Sequence, residues 1–152
     1  MTVWRLTRAR YATLDGAGAR QYGGRWNRRG HSVVYASEHL SLAVLEILVH
    51  LELLVDEFPA DYVKIGLNIP ATVSIKRMES LPGSDDEMLE RGDRWIEAAE
   101  SAVLLVPSVV VPEEYNILLN PAHADFVKVE HHPAQPFTFD ARLPGVLPTP
   151  IR

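Results

Sequence analysis

The residues best suited to chemistry fall in one stretch, Arg20 to Ser37, RQYGGRWNRRGHSVVYAS. Its eighteen positions hold four arginines (20, 25, 28, 29), the pair Gly23–Gly24 and the aromatics Tyr22, Trp26 and Tyr35. Paired glycines let backbone amides come close to a ligand, because no Cβ intervenes. Arg25 offers a flat, permanent cation that matches phosphate oxygens two at a time. Aromatic faces such as Tyr22 and Tyr35 suit a heteroaromatic ring. The combination describes a pocket for a ligand with phosphates and a ring; a basic hairpin loop with core aromatics is the plainer alternative.

Four further polar residues stand out against apolar surroundings. Glu46 sits in a segment, 42–55, where eleven of fourteen residues are apolar. A carboxylate there needs a cation, donors or a wet cleft, unless Glu46, His50 and Glu57 form an outward stripe. Ser108 is a lone hydroxyl in AVLLVPSVVV (102–111). No nucleophile-elbow pattern surrounds it, so it reads as a ligand contact or as a tie for a proline bend. Asn116 and Asn120 follow in EEYNILLNPAH, and Asn120 before Pro121 also fits a turn.

Composition narrows the possible functions. The 152-residue chain has an ordinary globular balance, 47% hydrophobic and 23% charged, and is long enough for one domain with a real core. Its net charge of −5 argues against nonspecific nucleic-acid binding. Residues 1–31 nevertheless hold seven arginines against one acid, Asp15, which favours a local anion site. With no cysteine there are no disulfides, thiolate–metal sites or cysteine nucleophiles. The histidines show no metal-binding spacing, so no metal is expected. Walker and G-x-G-x-x-G loops are absent, which removes conventional ATPase, kinase and dehydrogenase readings. No stretch is long and apolar enough to span a bilayer, and the expected location is cytoplasmic.

Those residues must be positioned by an irregular alternation of strands and helices. Strands are predicted at Val3–Leu6 and His31–Ala36, with a loop between them. Ser37 is the expected N-cap of a helix over Glu38–Val55, apolar nearly all round and hence central, ending at Pro59. Strands follow at Tyr62–Ile69 and Thr72–Arg77, then a helix at Glu87–Glu100 and a buried strand at 102–111 bent near Ser108. Glu113–Leu119 reads as a short helix or turn, and Phe126–Glu130 and Phe137–Phe139 as closing strands. The fold class is α+β, one domain over 1–143 with a proline-rich tail over 144–152.

In this order the pieces GGRWN (23–27), VYAS (34–37), AVLEILVH (43–50) and PSVVVPEEYNILLNPAHADF (107–126) resemble the RES-domain family, and the resemblance runs from about residue 3 to 139. The resemblance implies a fold like that of ADP-ribosyltransferase toxins, with mixed sheets around an NAD cleft. It also implies the toxin half of a bacterial toxin–antitoxin pair that depletes NAD+ by cleaving its nicotinamide–ribose bond, as a glycohydrolase or phosphorylase. NAD+ is then a substrate and no cofactor is needed. The family's arginine, glutamate and serine fall on Arg25, Glu46 and Ser108, with Tyr35 as the pocket aromatic. Ser108, Gly24, Tyr22 and Asn120 are further candidates for NAD contact, with Asn116 the alternative to Asn120. The implied partner is an Xre-type helix-turn-helix antitoxin, through which any DNA contact would pass, with a homodimer within that complex. Some family members instead ADP-ribosylate a protein. Val44 stands where the arginine-modifying branch of that fold carries a second glutamate. A non-enzymatic co-regulator would need a basic face or its own helix-turn-helix, and neither is evident.

Overall fold

The computed structural model describes residues 1–50 and 59–143. Among these residues eight strands form one mixed sheet: β1 (Thr2–Arg8), β2 (Val34–Ser37), β3 (Tyr62–Asn68), β4 (Ile75–Arg77), β5 (Val103–Pro107), β6 (Tyr115–Leu119), β7 (Glu130–His131) and β8 (Gln135–Pro136). Their order is β4-β5-β6-β2-β1-β3-β7, with β8 also on β3. β4 and β5 run parallel, and the other described pairs are antiparallel. Among the described residues three α-helices accompany the sheet: α1 (Ala17–Tyr22), α2 (Leu40–His50) and α3 (Asp85–Ala98). The single mixed α/β domain agrees with the class read from the sequence.

Strand pleating sorts the core. Ile117 and Leu119 of β6 join Val3, Val34 and Leu67 in one cluster. Leu118 between them joins Leu104, Trp26, Met88 and Trp95 in another. β6 is therefore apolar on both faces and lies between β2 and β5, each of which pairs with it along its length. The expected helix or turn over Glu113–Leu119 is corrected by this pairing. A strand buried on both sides shows no alternation, and Asn116 breaks its apolar run.

Other boundaries differ for local reasons. Ser37 closes β2 and is no helix cap; its hydroxyl is used elsewhere, as shown below. α2 begins at Leu40, and the expected continuation over residues 51–58 lies outside the described residues. It buries Leu42, Ala43 and Leu48, while Leu45 (41% exposed) and Val49 (50%) face out, so the helix is half-buried against β1 and β2 rather than covered all round. α3 begins two residues earlier than expected. The Ser84 hydroxyl accepts from Glu87 N and the Glu87 carboxylate accepts from Gly83 N, a reciprocal cap. Residues 124–128 form a 3-10 turn instead of a strand, because His123 Nδ1 accepts from Asp125 N and Asp125 Oδ2 accepts from Ser74 N. The short helix α1, in what was read as loop, carries only small and polar residues before Tyr22 and gives no apolar period to read. Among the described residues no helix is long and apolar enough to cross a membrane.

Candidate active site

β1 and β2 pair only at Trp4–Ser37. Beyond that point the Tyr35 carbonyl receives a hydrogen bond from the Arg5 guanidinium instead, Nη1 donating at 2.9 Å, while Nη2 reaches Tyr11 O at 3.3 Å. A cleft of about 410 Å³ lies at this parting, within the range of small-molecule sites. β1 contributes Arg5, Leu6 and Thr7; β2 contributes Tyr35 and Ser37; α2 contributes Glu46, Ile47 and His50. Gly23, Gly24, Arg25 and Tyr22 form another wall, and Asn116 reaches in from β6.

Glu46 is the anchored anion of this cleft. Ser108 Oγ and Asn116 Nδ2 each donate to its Oε1 at 2.6 Å; Oε2 takes neither bond. Ser108 is fully buried just after β5, and its oxygen accepts from Val110 N (3.1 Å) and Val111 N (3.0 Å). Its own backbone N donates to Glu114 O at 2.8 Å. The bend expected at Ser108 is thus built around its hydroxyl. Asn116 is oriented by Ser37, whose Oγ donates to Asn116 Oδ1 at 2.8 Å. Two donors 62 and 70 residues from Glu46 in sequence so converge on one carboxylate oxygen.

The arginine loop is fastened on two sides. Asn27, almost fully buried, donates from Nδ2 to the carbonyls of Ala19, Arg28 and His31 at 3.0–3.1 Å. Its Oδ1 accepts the Tyr35 hydroxyl at 2.6 Å, and that hydroxyl accepts Trp26 N at 3.1 Å. Burial pushes the Tyr35 phenol well above its ordinary range. From α3, Asp93 accepts Arg28 N and Arg28 Nη1, each at 3.0 Å, and lies 3.0 Å from His31 Nδ1. Gly92 permits this approach: a Cβ there would stand 1.7 Å from Trp26 O. Held this way, Arg25 keeps its guanidinium at the rim, 3.4 Å from the exposed Asp85 carboxylate.

The structure thus gathers Arg25, Tyr35, Gly24, Tyr22 and Glu46 around one cleft, with Ser108 behind Glu46. Tyr22 is an exposed rim residue in edge contact with Tyr11, their centroids 6.4 Å apart. Of the two asparagines, Asn116 enters the cleft. Asn120 lies at the far end of β6, buried, bonding Ile96 O and Ala122 N, and does not line it. Trp26 packs mainly into the core beside Trp95. Glu46 and His50 face the cleft rather than forming an outward stripe, and Glu57 lies outside the described residues.

Arg5 was not singled out from sequence. Burial lowers its guanidinium to about 10, so it remains a cation at neutral pH, and among the described residues its buried Nε has no hydrogen-bond partner. The available signal was its alternation with buried Val3, which puts a charge on a core-facing side of β1. Asn27 and Asp93 look like ordinary loop and helix residues until their partners are known, and Ser37, read as a helix cap, carries no other sign of its place beside Asn116. For metals, the one cluster found among the described residues is Glu38, His39 and Glu114 at the surface, where His39 and Glu114 pair with each other.

A family model for the RES domain matches residues 2–140. The chain belongs to the RES-domain family. Its relatives include "Toxin Res" of Photorhabdus laumondii, 39% identical over 137 residues, covering 84% of this chain and 86% of that protein. "Toxin Res" of Pseudomonas putida is 37% identical over 149 residues, 94% of this chain and 99% of the relative. The "Prs ADP-ribosylating toxin" of a Sphingobium species is 36% identical over 140 residues, 86% of each. Among solved structures, the M. tuberculosis MbcT–MbcA toxin–antitoxin complex superimposes with a TM-score of 0.68 at 15% identity, covering 90% of this chain and 84% of that one. This RES domain therefore shares its fold with a chain solved in a toxin–antitoxin complex.

Proposed function

We propose that this RES-domain protein is the toxin of a toxin–antitoxin pair and cleaves the nicotinamide–ribose bond of NAD+. The observation that carries the reading is the Glu46 carboxylate, held by Ser108 and Asn116 in the wall of a cleft that also carries Arg5, Arg25 and Tyr35. Anion and cations on one cleft suit a substrate with a pyrophosphate at one end and a developing cation at the other. When the C–N bond breaks, its electron pair leaves with the nicotinamide nitrogen, which turns from cationic to neutral. The departing ring therefore requires no proton donor. Positive charge grows on the ribose ring as an oxocarbenium ion, as in glycoside cleavage. Glu46, preorganised by two donors, stabilises that charge. Arg25 and Arg5 bind the pyrophosphate, and the Tyr35 ring packs against the nicotinamide end.

The acceptor then attacks the ribose carbon and loses its proton. Water gives ADP-ribose; phosphate gives the phosphorylated sugar. A protein acceptor is the second reading, favoured by similarity to the Sphingobium ADP-ribosylating toxin. Val44, two residues before Glu46, weighs against an arginine acceptor. The partner in this reading is an Xre-type antitoxin covering the cleft in the cytoplasm, in an assembly that includes a homodimer; the solved MbcT–MbcA complex supports an antitoxin partner.

The test is nicotinamide release from NAD+ by purified protein, with and without phosphate, beside Glu46→Ala. Release in both conditions identifies a glycohydrolase, and release only with phosphate a phosphorylase. Label transferred from NAD+ to a protein identifies the second reading. Unchanged turnover in folded Glu46→Ala overturns the mechanism.

A further inference from the structure

Tyr35 lines the cleft, where bond cleavage needs no proton from its hydroxyl. Its surroundings give it another task. Asn27 Nδ2 faces three backbone carbonyls, those of Ala19, Arg28 and His31. Turning the amide over would set an oxygen against three oxygens, so Oδ1 must face Tyr35. An amide oxygen only accepts. The hydroxyl proton is therefore committed to Asn27, at 2.6 Å, while the same oxygen accepts Trp26 N. Gly24 lies flat on this pair: a Cβ there would be 2.8 Å from the Tyr35 hydroxyl and 2.9 Å from Asn27 Oδ1. Asn27 also pairs with Gly24 through the backbone, Gly24 N donating to Asn27 O at 2.9 Å. Arg25 is the residue between these two fastenings.

We propose that Asn27 is a positioning residue that, through the Tyr35 hydroxyl, fixes the Gly24–Trp26 backbone and so sets Arg25 at the cleft rim, and that Tyr35 moves no proton during turnover. This rests on the NAD+ reading above and deepens it. Tyr35 gives its ring to the substrate and its hydroxyl to the loop. Loss of the lock loosens the pyrophosphate clamp and leaves Glu46 and its two donors in place, so substrate binding suffers more than bond cleavage.

The test is steady-state nicotinamide release by the wild-type protein, Tyr35→Phe, Asn27→Ala and the double variant, at pH 6 to 9. Each single variant is expected to raise KM for NAD+ about 10-fold and to lower kcat less than about 3-fold. The double variant should lie within about 2-fold of the worse single, because both changes break one unit. Loss in Tyr35→Phe of a limb that the wild-type pH dependence of kcat shows, or a fall in kcat as large as the rise in KM, would overturn the proposal. So would losses that multiply in the double variant. Should Asn27→Ala not fold, Tyr35→Phe carries the same KM, kcat and pH criteria alone. A second readout is independent of turnover: the proton NMR spectrum should hold a slowly exchanging hydroxyl signal that Tyr35→Phe removes. Its absence from the wild type refutes the lock even if NAD+ is cleaved. Its presence in a protein that releases no nicotinamide leaves the lock standing and overturns the NAD+ reading instead.

Discussion

At the scale of single residues, the site is a carboxylate with its supports. Glu46→Gln keeps the size and removes the charge that would face the growing cation, so nicotinamide release should fall about 1,000-fold or more. Ser108→Ala and Asn116→Ala each remove one of two donors to the same oxygen. Each should cost about 10- to 100-fold in kcat, with a smaller change in KM. Ser108→Ala has a further effect: Val110 N and Val111 N lose their acceptor, so it should also lower the melting temperature more than Glu46→Gln does. Circular dichroism on the three variants separates the two effects. Glu46 and Ser108 were legible in the sequence because a lone polar residue in an apolar run requires an explanation. Choosing between Asn116 and Asn120 was not possible there. They flank the same Ile-Leu-Leu run, and only the register of β6 on β2 sets Asn116 opposite Ser37.

At the scale of elements, the arginine loop depends on a helix it never touches in sequence. Gly92→Ala would push a methyl group to 1.7 Å from Trp26 O, with backbone on both sides and no flexible end to move. Overpacking of this kind costs about 1–3 kcal/mol or more. The expected result is a lower denaturation midpoint together with a raised KM for NAD+, since α3 braces Arg28 and the neighbouring loop. Another brace is Asp125, held near a pKa of about 2 first by Ser74 N, then by Lys128 and the Ser74 side chain. Its folded-state value lies below the ordinary 3.8, so its contribution to stability is present above pH 4 and is lost as pH falls towards 2. Asp125→Asn should lower the melting temperature at pH 7 and make it less sensitive to pH between 4 and 2. These braces escaped the sequence reading because a glycine in a helix and an aspartate before Phe126 have no local pattern. Their meaning is in contacts 51 to 66 residues away.

Across the whole molecule, the cleft is made by β1, the loop before β2, β2 itself, α2 and β6, with the β5–β6 connection behind. No two adjacent elements build it alone. β6 lies in the middle of the sheet order and also delivers Asn116, so cleft and core should be lost together. In a urea titration, nicotinamide release and far-ultraviolet circular dichroism are expected to fall in one coincident transition; activity lost at clearly lower urea would mean the cleft melts as a separate unit. The overall class was readable from the irregular spacing of strands and helices. The strand order was not, because it joins segments far apart in the chain, β2 with β6 above all.

The hydrogen bonds around Glu46 also have a direction. Val110 N and Val111 N donate to Ser108 Oγ, which donates to Glu46; Ser37 Oγ donates to Asn116, which donates to Glu46. Both chains run one way and end at the same oxygen. Such an arrangement is a sink for polarity and a poor conduit for protons, since reversing either chain would set two donors or two acceptors face to face. Glu46 is thereby kept as a fixed charge rather than a relay, and bond cleavage should proceed in heavy water at nearly the rate seen in ordinary water.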